Sequence, residues 1–130
     1  MSVTVGRKGR AESAVTAQNT ADAVGSGLVP VFATPYMVAL MENAAVNAVQ
    51  EDLEPGQGTV GTRLDVTHDA ATPVGMKVWA ESTVTAINGR KVSFSITAYD
   101  ETGVIGTCDH QRAIIDNEKF FTRCQNKLSH

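Results

Sequence analysis

The fold is decided by residues 33–50, ATPYMVALMENAAVNAVQ. This stretch is nearly all apolar or small, and its apolar residues recur at helical spacing, which predicts one long helix buried on most of its circumference. Thr34 is able to cap the start of this helix, and Pro35 suits its first helical position. The only acidic side chain within the stretch is Glu42, and a carboxylate is costly to bury without a partner. The sequence therefore predicts a core helix that carries one unusual polar group.

Composition narrows the class of protein. The 130 residues suffice for one domain with a core, which we predict over residues 1–130. A net charge of −3 lacks the basic footprint of a nucleic-acid-binding protein. No apolar run approaches the roughly 20 residues of a membrane helix, and residues 1–13 contain no secretory signal, so we expect a cytoplasmic protein without a membrane partner. Cys108 and Cys124 lack metal-ligand spacing and are interpreted as free thiols, with a disulfide as the alternative.

Alternating sequence after the helix predicts a meander of four antiparallel strands. Pro55 and Gly56 end the helix, and the Asn88-Gly89 dipeptide is a strong hairpin signal. A weaker alternation predicts one strand before the helix, whereas residues 1–9 are polar and expected to be loose. The predicted strands are 11–18, 59–68, 76–87, 91–99 and 104–115, and a short helix is expected in the tail, within residues 117–128.

The period of two along a strand assigns each side chain to a face of the sheet. In the strand 59–68, the face predicted to meet the core carries Val60, Thr62, Leu64, Val66 and His68. The opposite face is predicted to carry Thr59, Gly61, Arg63, Asp65 and Thr67. In the last strand, one face carries Cys108, His110, Arg112 and Ile114. His68 is therefore expected at the end of its strand, pointing toward the core.

The order of elements predicts an α+β hot-dog fold, in which an antiparallel sheet wraps one long central helix. Strand and helix do not alternate, which argues against a doubly wound fold. The free edge of such a sheet is commonly protected by pairing with a second copy, so we expect a homodimer, with a tetramer left open. The segment 21–30, ADAVGSGLVP, precedes the helix and is either a lid over a pocket or a plain connector.

Three residues are candidates for catalysis: Thr34, Glu42 and His68. Each also has a structural interpretation, which is a helix cap for Thr34, a core histidine for His68, and an ion pair with Arg63 or Arg112 for Glu42. Thr34 and Glu42 are eight residues apart, which separates them by about 12 Å and 80° on a helix. Helical side chains lean toward the N-terminus. Glu42 therefore leans back toward Thr34, and a histidine placed between them by another element could contact both. Acyl-transfer sites use such arrangements of a nucleophile, a base and a carboxylate.

Three segments resemble the fluoroacetyl-CoA thioesterase family of single hot-dog-domain enzymes. They are VFATPYMVALMENAAVNAV at 31–49, LEPGQGTVGTRLDVTHDAATPVGMKV at 53–78, and GTCDHQRAIIDNEKF at 106–120. The resemblance implies a homodimer that hydrolyses acyl-CoA thioesters without a metal or cofactor, coenzyme A being part of the substrate. The family's catalytic threonine, glutamate and histidine fall on Thr34, Glu42 and His68. Its backbone-donor glycine falls on Gly61, and its substrate-contacting arginine falls on Arg112.

Two functions from different classes follow. The first is a thioesterase acting on a short or small acyl-CoA, with Glu42 either attacking the carbonyl or activating water. The second is a non-catalytic hot-dog dimer that binds an acyl-CoA or another small ligand. A hydratase ranks third, because the helix has no histidine. Segment 21–30 lacks the aromatic residues associated with fluorine selectivity, so the acyl group is not assigned. His110 is interpreted as a structural or interface histidine.

Overall fold

The computed structural model describes residues 2–129. In chain order, its helices and strands are β1 (Lys8–Ala14), α1 (Ala21–Val24), α2 (Thr34–Val49), β2 (Gln57–His68), β3 (Lys77–Asn88), β4 (Lys91–Asp100), β5 (Gly103–Asp116) and α3 (Asn117–Gln125). The five strands form one antiparallel sheet in the order β1-β3-β4-β5-β2, and α2 packs against one face of it. This arrangement confirms the predicted hot-dog fold, with four strands after the long helix.

The start of α2 differs from the prediction in one respect. The helix begins at Thr34, but Ala33 occupies the N-cap position and makes no side-chain hydrogen bond. The predicted capping role of Thr34 is therefore wrong, and its hydroxyl is free for another partner. Pro35 stands in the first turn as predicted, where its missing N–H is not needed. The α-helix ends at Val49, and a 3₁₀ turn, Gln50–Asp52, continues it.

The buried face of α2 is built for close contact with the sheet. Its buried residues are Met37, Leu40, Met41, Ala44, Ala45, Ala48 and Val49. The alanines let the backbone of β1 approach, so that a Cβ added at Gly9 would overlap the backbone of Ala44 and Ala48. The hydroxyl of Ser82 in β3 donates a 2.7 Å hydrogen bond to the Ala44 carbonyl. Larger side chains at this contact would push the helix away from the sheet and displace polar residues of α2 such as Thr34 and Glu42.

β1 lies earlier in the chain than predicted. The expectation that residues 1–9 are loose is wrong from Gly6 onward, because the Gly6 N–H donates to the Val84 carbonyl at 2.8 Å and Lys8 begins the strand. Met1 lies outside the described residues. The strand ends at Ala14 rather than at residue 18. Asn19 closes a turn there, accepting from the Thr16 N–H and donating to the Ala14 carbonyl. Weak alternation at a sheet edge locates a strand poorly, because one side of it faces water.

A β-bulge at Thr62 changes the faces of β2. Paired residues on neighbouring antiparallel strands point to the same side of a sheet. Gly61 pairs with Arg112 and Leu64 pairs with His110, and the register shifts between Gly61 and Arg63. The predicted core-facing positions of Leu64, Val66 and His68 are therefore confirmed. Those of Val60 and Thr62 are wrong, because Thr59 and Gly61 face the helix instead. One extra residue inverts the alternation on one side of the bulge.

The sheet edges and the remaining helices lie at the surface. β2 is an edge strand, and most of its side chains between Gly61 and His68 are exposed. α1 is a single turn that the sequence patterns did not predict. The expected tail helix is confirmed as α3, which is capped by the Asp116 side chain accepting from the Lys119 N–H, and it buries no residue. Within residues 2–129, no helix is long and apolar enough to cross a membrane.

Candidate active site

The first polar pair stands at the N-terminal end of α2. Thr34 and His68, which we call the His68 pair, are joined by a 2.8 Å contact between Thr34 Oγ1 and His68 Nδ1. His68 ends β2 and lies opposite Gly106 in β5. The pair opens into a cleft of about 230 Å³, lined by Ala21, Ser26, Val31, Phe32, Thr34, His68, Asp69, Ala70 and Ala71. The hydroxyl that the sequence offered as a helix cap is thus used to hold an imidazole.

His68 is electrostatically suited to hold or accept a proton. Burial lowers its pKa from the ordinary value of 6.5, and this effect outweighs the opposing influence of the Ala70 backbone and the Asp69 carboxylate. The imidazole is therefore neutral at pH 7. Its Nε2 atom is buried and has no hydrogen-bond partner among residues 2–129. Because an unsatisfied buried polar atom is costly, this nitrogen is available to a partner that enters the cleft.

The segment 21–30 borders the cleft without covering it. Ala21 and Ser26 contribute to the lining, but Leu28 at the tip is 95% exposed. Gly25 adopts a left-handed conformation with φ of 81°, which ends α1 and turns the chain outward. Neither of the two sequence interpretations is met in full: the segment is a wall of the cleft rather than a closed lid or a remote connector.

The second polar group surrounds Glu42 in the middle of α2. Arg112 Nη1 donates to Glu42 Oε2 at 2.8 Å, and the other guanidinium nitrogens donate to Thr59, from Nε to Oγ1 at 2.8 Å and from Nη2 to the carbonyl at 3.0 Å. The Arg112 side chain is 7% exposed and that of Glu42 is 34% exposed. Arg112 rather than Arg63 is therefore the cation that makes this carboxylate tolerable in an apolar helix.

His110 completes this group, which we call the Glu42 cluster (Glu42, Thr59, His110 and Arg112). Its ring is buried, with Nδ1 2.7 Å from the Arg63 carbonyl and Nε2 3.1 Å from Arg112 Nη1. Burial lowers the pKa of His110, and the nearby Arg112 charge adds to the effect, while the Arg63 carbonyl and Glu42 oppose it. The sequence placed His110 and Arg112 on one face but gave no sign that they touch.

Gly61 is required by the Glu42 cluster. A Cβ added at this position would overlap Oε2 of Glu42 and stand 3.3 Å from both Arg112 Nη1 and His110 Cε1. The bulge at Thr62 turns this glycine toward α2. A side chain of any size at Gly61 would therefore displace the carboxylate or its guanidinium partner.

The two groups remain separate within one chain. His68 contacts Thr34, and no hydrogen bond or ion pair in the described part of the chain joins it to Glu42. The eight-residue spacing along α2 explains this, because it corresponds to about 12 Å of helix. The expectation that one histidine addresses both Thr34 and Glu42 is met only for Thr34. The arrangement gives two half-sites rather than one assembled triad.

Other groups offer little chemistry. Cys108 and Cys124 are free thiols, and burial raises the pKa of Cys108 to about 11, so its thiol is not a nucleophile at neutral pH. Across residues 2–129, no cluster of three or more His, Cys, Asp or Glu side chains could hold a metal ion. The chemistry available is thus a carboxylate and a hydroxyl on α2 and a neutral imidazole at the end of β2, the groups used in acyl transfer.

Known proteins share this sequence and architecture. Residues 15–118 match the family described as the fluoroacetyl-CoA-specific thioesterase, FlK. The chain is 44% identical over 97 residues to the fluoroacetyl-CoA thioesterase of Streptantibioticus cattleyicolor, covering 75% of this chain and 70% of that protein. It superposes on the solved structure of the fluoroacetyl-CoA thioesterase FlK with a TM-score of 0.91, at 35% identity and with 98% of each chain covered.

A more distant structure agrees. A thioesterase superfamily member from Thermus thermophilus superposes with a TM-score of 0.87, at 28% identity, covering 98% of this chain and 96% of that chain. The family match extends over α2, all of β2 to β5 and both half-sites. The chain belongs to the fluoroacetyl-CoA-specific thioesterase family and is an acyl-CoA thioester hydrolase.

Proposed function

We propose that this protein hydrolyses the thioester of a short or small acyl-CoA, using Thr34, Glu42 and His68, with Gly61 and Arg112 holding the reacting groups. The observation that carries the proposal is the carboxylate of Glu42, paired with Arg112 at 2.8 Å yet one-third exposed. A carboxylate in this setting is oriented and still accessible to a substrate. The small residues of segment 21–30 and a cleft of about 230 Å³ suit a small acyl group.

The active site is proposed to be completed by a second copy of the chain. β2 is an edge strand with exposed side chains, and an unpaired edge favours addition of another strand. An antiparallel pair of β2 strands related by a twofold axis brings the His68 end of one strand toward the half of the other strand that contains Gly61. The unpartnered Nε2 of His68 and the separation of the half-sites support this assembly. Each site then combines one His68 pair with the other subunit's Glu42 cluster.

The reaction follows from these groups. Glu42 either activates a water molecule or attacks the thioester carbonyl itself, forming a mixed anhydride that water then cleaves. In both routes the C–S bond breaks and coenzyme A leaves as the thiolate. When Glu42 activates water, the proton that it takes from the water passes to the thiolate. In the anhydride route, neutral His68 takes a proton from the water that cleaves the anhydride, and this proton then passes to the thiolate. Intact-mass analysis of a His68→Ala variant mixed with substrate separates the routes. An added acyl mass on the protein supports attack by Glu42, and its absence during measurable turnover supports general-base catalysis. We also propose a cytoplasmic location, because acyl-CoA esters are available there.

The direct test is hydrolysis of an acyl-CoA panel by the wild type and by Thr34→Ala, Glu42→Gln and His68→Ala variants. We expect the wild type to turn over a small acyl-CoA, and the Glu42 and His68 variants to lose at least about 100-fold in kcat. Glu118→Gln, on the exposed helix α3, is the control and keeps full activity. Full activity of both site variants would overturn these roles. Tight binding of acyl-CoA without turnover would favour the non-catalytic alternative.

The shared site has its own test. Glu42→Gln and His68→Ala subunits are unfolded together and refolded as a mixture, then compared with each variant refolded alone. If sites are shared, one of the two sites in every mixed dimer is wholly wild type, so the mixture regains up to about a quarter of wild-type activity. If each chain carries a complete site, every site contains one substitution and the mixture stays as inactive as its components.

A further inference from the structure

We infer that His110 is a positioning residue that fixes Arg112, and through it Glu42, by linking the guanidinium to the bulge in β2. This inference rests on the proposed catalytic use of Glu42. His110 itself touches neither the carboxylate nor any surface open to substrate, because its ring is buried and its two nitrogens face Arg63 and Arg112. It acts through Arg112 and is not a catalytic residue.

The anchor of this linkage is the backbone at the bulge. The Arg63 carbonyl lies directly after the extra residue Thr62, where the register of β2 against β5 shifts. A bulge disrupts the ladder locally and commonly serves to re-aim a group near an active site. Here the Arg63 carbonyl accepts a hydrogen bond from His110 Nδ1 at 2.7 Å. The imidazole is therefore tied to main chain rather than to another mobile side chain.

The two partners of His110 determine its protonation. A carbonyl oxygen only accepts, so Nδ1 must carry a hydrogen. A guanidinium only donates, so Nε2 must be unprotonated to accept from Arg112 Nη1 at 3.1 Å. The ring is thus held neutral in one tautomer. The lowered pKa that burial and Arg112 give His110 agrees with this assignment.

All three nitrogens of the Arg112 guanidinium then make hydrogen bonds. Thr59 takes the Nε and Nη2 donors, and Nη1 divides its two hydrogens between Glu42 Oε2 and His110 Nε2. Without the acceptor at His110, one hydrogen of Nη1 has no partner in a buried setting, which is unfavourable. The guanidinium then rotates or shifts to satisfy it, and the carboxylate that it holds moves with it.

Two conservative substitutions separate the two ends of the ring. The carbonyl of Gln in His110→Gln can stand near the Nε2 position and accept from Arg112. The amide of Asn in His110→Asn stands near Nδ1, where it can donate to Arg63 but does not reach Arg112. We expect kcat within about threefold of wild type for His110→Gln and a fall of about 10- to 100-fold for His110→Asn, as for other groups that orient a reacting ligand. KM should change less than kcat in both, because His110 itself does not contact the substrate.

Controls keep the result specific. Asp109→Asn lies one residue away on the exposed face of β5 and should leave kcat unchanged. Thermal unfolding checks that the two His110 variants have equal stability. Equal losses of kcat in His110→Gln and His110→Asn, or full activity in both, would overturn the inference.

A second readout does not depend on turnover. Nitrogen-15 NMR of the wild-type imidazoles at pH 7 should show His110 neutral, with its proton on Nδ1. It should also show a slowly exchanging Arg112 Nε–H signal, which is retained in His110→Gln and lost in His110→Asn. An Nε2-protonated or charged ring in the wild type would overturn the inference. An inactive wild type with the predicted NMR signals would instead count against the proposed function alone.

Discussion

The two half-sites on α2 differ in how firmly their groups are held. In the Glu42 cluster, each nitrogen of the Arg112 guanidinium makes at least one hydrogen bond, and the His110 ring beside it is buried. In the His68 pair, a single 2.8 Å contact joins an exposed threonine to a half-buried imidazole whose second nitrogen has no partner among the described residues. The Glu42 cluster is charged and held by several hydrogen bonds, whereas the His68 pair is neutral and has one ring nitrogen available.

This difference matches the work proposed for each group. A carboxylate that reacts with a carbonyl, or aligns a water for attack, must be placed within a fraction of an ångström. An imidazole that moves a proton needs a free nitrogen and a pKa suited to exchange. The rigid network therefore surrounds Glu42, and the unsatisfied atom belongs to His68. Four substitutions or conditions test whether the rigidity and the openness matter as this comparison requires.

The largest effect is expected at Gly61. Gly61→Ala places a methyl group against Oε2 of Glu42, so we expect a loss of about 100-fold or more in kcat, as for other misplacements of a reacting group by an ångström. Gly58→Ala is the matched control on the same strand, because its Cβ would meet only the side chain of Asn117, which can move. Steady-state kinetics on the preferred acyl-CoA decide the matter. Similar kinetics for the two alanine variants would show that the cluster is not rigid.

The next effect is expected at Arg112. Arg112→Gln leaves Glu42 without its cation and removes four hydrogen bonds, two to Thr59 and one each to Glu42 and His110. We expect a loss of about 1 to 3 kcal/mol in the free energy of unfolding, together with lower kcat. Arg63→Gln is the control, because that side chain is exposed and faces away from α2. Urea unfolding and kinetics should separate the two arginines. Equal stability of both variants would contradict the closed network.

A smaller and purely catalytic effect is expected at Thr34. Because Ala33 is the N-cap residue, Thr34→Ala should leave the helix intact and the unfolding midpoint unchanged. Loss of one hydrogen bond to a neutral imidazole costs about 1 kcal/mol, so kcat should fall by about fivefold. Thr34→Ser retains the hydroxyl and should restore most of the activity. A large drop in melting temperature for Thr34→Ala would show that the residue serves the fold instead.

The smallest effect is expected from pH. Burial lowers the pKa values of His68 and His110, so both imidazoles bind protons more readily in the unfolded chain. Their contribution to stability is therefore complete above pH 6.5 and is lost as the pH falls through the lowered values of the folded state. We expect the melting temperature to decrease from pH 7.5 to 5.5, and to decrease less in His110→Gln. A melting temperature that rises on acidification would contradict the sign of both shifts.

The sequence predicted the elements better than their detailed contacts. The apolar period of α2 and the Asn88-Gly89 turn are signals within short stretches of sequence. The predicted ends of the helix and of the four later strands lie within two residues of the observed ends. Residue patterns indicated Thr34, Glu42 and His68, family resemblance added Gly61 and Arg112, and strand parity alone put Gly61 on the wrong face. No local signal marks Thr62 as a bulge, because the extra residue is defined by the register of β2 against β5. The contact between His110 and Arg112 likewise has no local sequence signal.

The short first strand, β1, affects how the enzyme associates at high concentration. If the β2 edges of two copies pair, the sheet of the dimer ends at β1 on either side. β1 has only seven residues, and Lys8, Arg10 and Glu12 alternate along it, with Arg10 paired to Glu12 and Glu81. A brief edge strand carrying charges is a poor template for a further strand. The seven residues that complete the sheet thereby disfavour the addition of further strands, and with it amyloid-like assembly, when the enzyme is concentrated.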